Sequence, residues 1–99
     1  MAERYKDRMA LVTGASRGIG RAVAAALGRE GAYVALCYTS NDGAAEAALG
    51  DLRAAGGKGE LLKFDVAESA AVAAAVGGFV KARGRLDVVV NSAGIALDG

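Results

Sequence analysis

The stretch TGASRGIG, Thr13–Gly20, places three glycines and an arginine between an apolar run and a helical pattern. The apolar run is MALVT, Met9–Thr13, which is typical of a strand buried on both faces of a sheet. The following residues carry apolar side chains at helical spacing, namely Ile19, Ala22, Val23, Ala26 and Leu27, and Gly31 would end that helix. The stretch therefore predicts a sharp turn from the end of a strand into a helix.

The rest of the sequence repeats this alternation of strand and helix. Further strands are predicted at Tyr33–Tyr38, Glu60–Asp65 and Leu86–Asn91. Two helical stripes lie between them, the first made of Ala45, Ala48, Leu49 and Leu52 and the second of Val72, Ala75, Val76, Phe79 and Val80. Because parallel strands need a crossover of about a dozen or more residues, helices of this length predict a parallel sheet. The fold class is therefore α/β.

The composition restricts the classes of function. The chain has 99 residues, enough for one domain, and its 12 Lys and Arg balance 11 Asp and Glu for a net charge of +1. We therefore expect neither nucleic acid nor a membrane as a partner. Cys37 is the single cysteine and histidine is absent, which excludes an internal disulfide and histidine-based catalysis, and we expect no metal site. Since there is no secretory signal and no long apolar span, we expect a cytoplasmic protein.

The three glycines of the loop have distinct roles in such a turn. Gly14, Gly18 and Gly20 remove side chains where the turn is tight, where a ligand approaches the backbone, and where the helix meets the sheet. The resulting hollow lies at the amino end of a helix, where unpaired N–H groups and a partial positive charge favour phosphate. The loop alone is also compatible with a structural turn that binds no ligand.

Three motifs in order resemble the short-chain dehydrogenase/reductase family. Thr13–Gly20 matches the family's cofactor motif T-G-x-x-x-G-x-G. FDV, Phe64–Val66, ends the third predicted strand, and NSAG, Asn91–Gly94, follows the fourth, where the family has N-N-A-G. Ser92 replaces the usual second asparagine, a departure that we expect to be mild. The resemblance covers the whole chain and is strongest to the branch of 3-oxoacyl-acyl-carrier-protein reductases.

The resemblance implies a fold and an activity. The fold would be a Rossmann-type three-layer sandwich with strand order 3-2-1-4, and residues 1–99 would form a single, partial NAD(P)-binding domain truncated after the fourth strand. The reaction would be hydride transfer to a carbonyl, such as a 3-oxoacyl thioester of fatty acid biosynthesis. The family's catalytic tyrosine is followed four residues later by lysine, and none of the three tyrosines here has that neighbour. We therefore assign no catalytic residue and expect the chain alone to be inactive.

The resemblance also implies which residues bind the dinucleotide. They come from the glycine loop and from the carboxyl ends of the later strands: Gly14, Ser16, Arg17, Gly18, Ile19, Gly20, Tyr38, Thr39, Ser40, Asp65, Val66, Asn91, Ala93 and Gly94. Asp65 and Val66 would lie along the adenine ring. Asn91 would tie the fourth strand to its neighbours, while the backbone around Ala93 and Gly94 would face the cofactor.

The end of the second strand favours NADP(H) over NAD(H). NAD-binding proteins of this fold generally have an acid there that hydrogen-bonds the ribose 2′-hydroxyl, whereas this chain has Tyr38. Arg17 could bind a 2′-phosphate through paired hydrogen bonds, with Thr39 and Ser40 as neutral donors. The alternative is that Arg17 is a solvated loop residue and that Asp42 serves the ribose, which would give NAD.

Two further alternatives concern what the chain does as a whole. It could be a catalytically silent dinucleotide-binding module, or a flavodoxin-like phosphate binder without a nicotinamide role.

The valines at Val88–Val90 would form an apolar sheet edge if no further strand covered them. We therefore expect a second copy of the chain, or a complementing carboxyl-terminal half, as a partner.

Overall fold

Four parallel strands form one sheet in the order β3-β2-β1-β4 in the computed structural model, which describes residues 5–16, 18–65 and 67–92. The elements in chain order are β1 (Met9–Thr13), α1 (Gly18–Arg29), β2 (Tyr33–Tyr38), α2 (Asp42–Ala54), β3 (Lys58–Lys63), α3 (Ser69–Arg83) and β4 (Val88–Asn91). Strand pairing is parallel throughout the sheet. The α/β fold class and the expected strand order 3-2-1-4 are both confirmed.

The two central strands are buried on both faces, and successive side chains enter different layers. One face directs Val12, Val34 and Leu36 into a core shared with α1 and α2. The opposite face directs Leu11, Ala35 and Cys37 against Phe79 of α3. This division produces the three layers of the expected sandwich, with two helices on one side of the sheet and one on the other.

The buried side of helix α1 is shifted from the one that its apolar spacing predicts, although Leu27 belongs to both and Val23 packs against the core. Its buried residues are Gly20, Ala24, Leu27 and Gly28, while Ile19 is 62% exposed. The reason is that glycine allows the closest approach: a Cβ at Gly28 would meet the Leu52 side chain and would lie 3.3 Å from Gly57 Cα. Apolar spacing does not count glycine as a buried residue. It therefore predicts a buried line of residues about one position away from the observed line.

The outer elements also differ from the prediction. Strand β3 begins and ends two residues earlier than Glu60–Asp65, because it pairs with the whole of β2 from Tyr33↔Lys58 to Tyr38↔Lys63. Strand β4 is confined to Val88–Asn91. In α3 only Phe79 is buried, and Val80, a member of the predicted stripe, is 36% exposed.

A polar and aromatic cluster at the amino ends of β2 and β3 fastens α3 to the sheet. The Tyr33 and Phe79 rings stack with centroids 6.3 Å apart, and the Arg83 guanidinium lies 4.0 Å from the centre of the Tyr33 ring. Arg83 Nη2 donates to Tyr33 Oη at 2.6 Å and pairs with Glu60 Oε1 at 3.0 Å. Tyr33 Oη in turn donates to Glu60 Oε1 at 2.8 Å. The cluster therefore links the last turn of α3 to β2 and β3.

Two glycines at helical positions should respond oppositely to alanine. At Gly50 in α2 an added Cβ would meet no atom of the described residues within 4 Å, so Gly50→Ala should stabilise the fold by up to about 1 kcal/mol through helix propensity. At Gly28 the same methyl would overlap Leu52, which is fully buried, so Gly28→Ala should destabilise by about 1–3 kcal/mol. Urea unfolding of both variants measures the difference. An equal gain in stability for the two would contradict the close α1–α2 packing.

The Cys37 thiol should make stability depend on alkaline pH. Burial, reinforced by the charge of Glu60, raises the pKa of Cys37 from its usual value of 9.0 to about 12. The unfolded thiol ionises near pH 9 while the folded one stays neutral, so this contribution is complete below pH 9 and is lost as the pH rises towards 12. The urea midpoint should therefore fall more steeply above pH 9 in the wild type than in Cys37→Ala. Parallel pH profiles for the two proteins would refute this role of the thiol.

Candidate functional site

The loop after β1 turns sharply at the carboxyl edge of the sheet. Gly14 has φ +63° and Gly18 has φ +62°, left-handed values that residues with a side chain rarely adopt. Between them, the Ala15 N–H donates to the carbonyl oxygen of Cys37 at 3.0 Å, so the loop is held above the end of β2. Ala15 itself is fully buried, and Ser16 is half-buried. The two glycines therefore set the path by which the chain leaves the strand and enters α1.

The amino end of α1 opens towards free space. The first N–H groups of an α-helix have no acceptor within the helix, and the helix dipole makes this end partially positive. Among the described residues, no atom lies within 4 Å of a Cβ added at Gly18, and Ile19 projects from the surface with 62% exposure. The first turn of α1 also contains no acidic residue that would repel an anion. This end of the helix can therefore receive an anionic group.

Gly20 allows the helix to begin directly against the loop and β4. A Cβ at Gly20 would collide with the Gly14 carbonyl and would lie 2.5 Å from Ser92 Oγ. Since one of these obstacles is backbone, a side chain at Gly20 could fit only if the loop moved. The third glycine of the motif is thus a packing requirement, as its spacing predicts.

Hydrogen bonds between β1 and β4 fix the floor of the site. Thr13 Oγ1 donates to Asn91 Oδ1 at 2.9 Å, and Ser92 Oγ donates to the Thr13 carbonyl oxygen at 2.5 Å. Thr13 and Ser92 are 9% and 6% exposed, so both bonds are made in a largely dry environment. Ser92, which replaces the usual asparagine, therefore holds the end of β1 beside β4.

The ends of β2 and β3 carry a second polar group beside the loop. Tyr38 Oη donates to Asp42 Oδ1 at 2.8 Å, and Lys63 Nζ lies 3.2 Å from the same oxygen. The hydrogen bond from Tyr38, followed by the bond and charge of Lys63, holds the pKa of Asp42 below its usual value. Between Tyr38 and this helix start, Thr39 and Ser40 are exposed. The residues at the end of β2 are therefore uncharged. The first carboxylate after them, that of Asp42, is already bonded to Tyr38 and Lys63.

Asp65 lies just beyond β3 at the same edge. Phe64 N–H donates to the Tyr38 carbonyl oxygen at 2.9 Å, which extends the strand contact past β3. Asp65 is exposed, and its Oδ1 accepts the Ala67 N–H at 2.9 Å. The side chain therefore closes a local turn between β3 and α3.

The structure places the described members of the sequence-predicted site along this one edge. They are Gly14, Ser16, Gly18, Ile19, Gly20, Tyr38, Thr39, Ser40, Asp65 and Asn91. Arg17, Val66, Ala93 and Gly94 lie outside the described residues. The sequence did not predict the ion pair of Lys63 with Asp42, because Lys63 ends the observed β3 but lies inside the predicted strand Glu60–Asp65, and it did not predict the bond from Ser92 to β1.

Known proteins share both this sequence pattern and this fold. The family model for short chain dehydrogenase matches residues 8–99. The chain is 44% identical over 92 residues to the 3beta-hydroxysteroid dehydrogenase of Mediterraneibacter gnavus, covering 93% of this chain and 33% of that protein. It is 43% identical over 91 residues to the 3-oxoacyl-[acyl-carrier-protein] reductase FabG of Staphylococcus aureus, covering 92% and 37%. The chain thus spans about a third of the length of these curated relatives.

A solved structure gives the same result in three dimensions. The crystal structure of a metagenomic short-chain oxidoreductase in complex with NADP superposes with a TM-score of 0.77 at 44% identity, covering 85% of this chain and 38% of that one. In the part of the chain that the structure describes, no helix is both long and apolar enough to cross a membrane. The match covers nearly the whole sequence, and the fold agrees with it. The chain therefore belongs to the short chain dehydrogenase family, whose members are oxidoreductases that bind a nicotinamide dinucleotide.

Proposed function

We propose that this chain binds NADP(H) and supplies the cofactor-binding half of a reductase that transfers hydride to a carbonyl group. The observation that carries the proposal is the turn from β1 into α1. Gly14 and Gly18 are left-handed there, and the amino end of α1 faces open space above Gly18. Backbone N–H groups at a helix start are the usual ligands of a dinucleotide's pyrophosphate in this fold.

The described residues fit such a cofactor. The open position over Gly18 leaves room for a phosphate to approach the backbone, and no carboxylate in the first turn of α1 opposes it. Exposed Ile19 offers an apolar surface at the mouth of the hollow. Asp65 lies at the same edge, and we propose that it flanks the adenine ring together with Val66. Because Asn91 Oδ1 already accepts from Thr13, we propose that it positions the backbone of Ala93 and Gly94 along the cofactor.

Three observations favour NADP(H) over NAD(H). Strand β2 ends in Tyr38, and exposed, neutral Thr39 and Ser40 follow it. The alternative ribose ligand, Asp42, is already bonded to Tyr38 Oη and Lys63 Nζ. The metagenomic relative was crystallised with NADP. We propose that the guanidinium of Arg17 binds the 2′-phosphate through charge-assisted hydrogen bonds.

The bound cofactor would supply the hydride, and the residues of this chain would bind and orient it. The substrate that we propose is a 3-oxoacyl thioester, because the Staphylococcus aureus relative is named for that reduction. The relative from Mediterraneibacter gnavus is named for a steroid alcohol and is similarly identical. The shared chemistry of the two is the interconversion of a carbonyl and a secondary alcohol. A purified full-length protein would be assayed for NADPH oxidation with a 3-oxoacyl thioester and with a 3-oxosteroid, and turnover of only the steroid would overturn the thioester proposal.

The 99 residues by themselves would then be a binding unit without turnover. The observation that favours this second function is that no tyrosine in the sequence is followed by lysine at the fourth position. The partner that we propose is a complementing segment or a second copy along β4, where Val89 is 60% exposed. Adding NADPH and a 3-oxoacyl thioester to the purified chain tests this reading. Binding without oxidation supports it, and turnover by the chain alone would refute it.

The NADP(H) preference predicts a selective effect of Arg17→Ala. Loss of the guanidinium should weaken NADPH binding about ten- to a hundredfold, since a charge-assisted bidentate contact is lost, and should change NADH binding by less than about twofold. Calorimetric titration of the chain with each cofactor measures both affinities. Arg29→Ala is the matched control, because Arg29 ends the same helix roughly 16 Å from its start. Equal losses for the two cofactors would exclude Arg17 as the 2′-phosphate clamp.

A further inference from the structure

Asp42, Lys63 and Tyr38 form a charge-compensated group at the carboxyl edge of the sheet. Lys63 Nζ spans both oxygens of Asp42, at 3.2 Å from Oδ1 and 3.5 Å from Oδ2. Tyr38 Oη donates to Oδ1 from the other side at 2.8 Å. The side chains of Lys63 and Asp42 are 51% and 63% exposed, so a ligand can reach the pair. The group brings together the last residues of two strands and the first residue of α2.

The group lies one strand outward from the glycine loop. Tyr38 and Lys63 are directly paired at the ends of β2 and β3. The loop meets β2 one residue earlier, where the Ala15 N–H bonds the Cys37 carbonyl oxygen. In dinucleotide-binding sheets the end of this second strand meets the ribose of the adenosine half, through an acid for NAD or through a cation for NADP. Asp42 and Lys63 therefore occupy the region where the two cofactors differ.

The charges of this group have opposite effects on a 2′-phosphate. Asp42 is the first carboxylate after β2, and the bonds from Tyr38 and Lys63 hold its pKa below its usual value. An uncompensated carboxylate here would repel a dianionic phosphate and would accept a hydrogen bond from a ribose hydroxyl. Lys63 cancels that charge and contributes an ammonium group that faces the same edge. The ion pair therefore makes this edge of the sheet more favourable for a ribose with a 2′-phosphate than an unpaired Asp42 would.

We propose that Lys63 is a specificity-determining residue that, by pairing with Asp42, turns the acid after β2 from a ligand for the ribose hydroxyl into a site that tolerates a 2′-phosphate. The inference rests on the proposed binding of NADP(H). It assigns the cofactor preference to two side chains of the β2–α2–β3 unit, in addition to the cation of the glycine loop. Lys63 acts here mainly by cancelling the charge of Asp42.

The test uses adenosine 2′,5′-bisphosphate and adenosine 5′-monophosphate, which differ only in the 2′-phosphate. Calorimetric titration of the 99-residue chain gives the affinity for each. Lys63→Met should weaken binding of the bisphosphate about three- to tenfold, the size expected for a solvent-screened charge, and should change the monophosphate by less than about twofold. Lys58→Met is the matched control: Lys58 begins the same strand roughly 17 Å away and should leave both affinities unchanged.

A second pair of variants separates specificity from a purely structural ion pair. Lys63→Met combined with Asp42→Asn removes the uncovered carboxylate and should recover most of the bisphosphate affinity, whereas loss of a structural contact would not be reversed. Lys63→Arg keeps the cation and should preserve the wild-type ratio of the two affinities. Thermal unfolding followed by circular dichroism verifies that each variant is folded before titration.

The outcomes distinguish this inference from the proposed function. If the wild type binds the bisphosphate and Lys63→Met keeps the wild-type ratio, or loses both ligands equally, the role of Lys63 is refuted and NADP(H) binding stands. The absence of recovery in the double variant refutes it in the same way. If the wild type binds neither nucleotide nor NADPH, the proposed function fails and the inference fails with it.

Discussion

The turn from β1 into α1 is the constraint on which the rest of the structure depends. Left-handed Gly14 and Gly18 let the chain leave the strand and start the helix within a few residues, and Gly20 lets that helix begin against the loop backbone. The close approach continues at Gly28, where α1 meets Leu52 of α2. A single run of small residues thereby sets both the position of the helix layer and the opening at its amino end. The fold and the candidate phosphate site have the same geometric origin.

The sequence predicted what local patterning and turn chemistry determine. All four apolar positions expected in α2, from Ala45 to Leu52, are buried, and β1 and β2 have the expected limits. The same reasoning placed the buried side of α1 about one residue away from the observed one, because contact there depends on the absence of side chains at Gly20 and Gly28. It also extended β3 past Lys63, because the end of an edge strand is decided by pairing with β2.

Some features of the candidate site were likewise predictable from the sequence, and others were not. The glycine spacing predicted the sharp turn into α1, since Gly14 and Gly18 are left-handed there and Gly20 has no room for a side chain. The contact of Asp42 with Lys63 was not predictable, because the two residues are 21 positions apart and meet only through the register of β2 with β3. The bond from Ser92 to Thr13 likewise requires β4 to return beside β1, 79 residues along the chain. Both contacts depend on the register of strands that are distant in sequence, which the periodicity of the sequence does not reveal.

The cluster of Tyr33, Glu60 and Arg83 lies at the amino ends of the strands, opposite the edge that carries the glycine loop. The anchoring of α3 and the proposed nucleotide site therefore lie at opposite ends of one sheet. A substitution at Lys63, whose ion pair is with Asp42, would act at the opposite end of the sheet from the bonds that anchor α3. Under the proposed function, the preference between the two nicotinamide cofactors would therefore be adjustable at one end of the sheet while the anchoring of α3 at the other end stays intact.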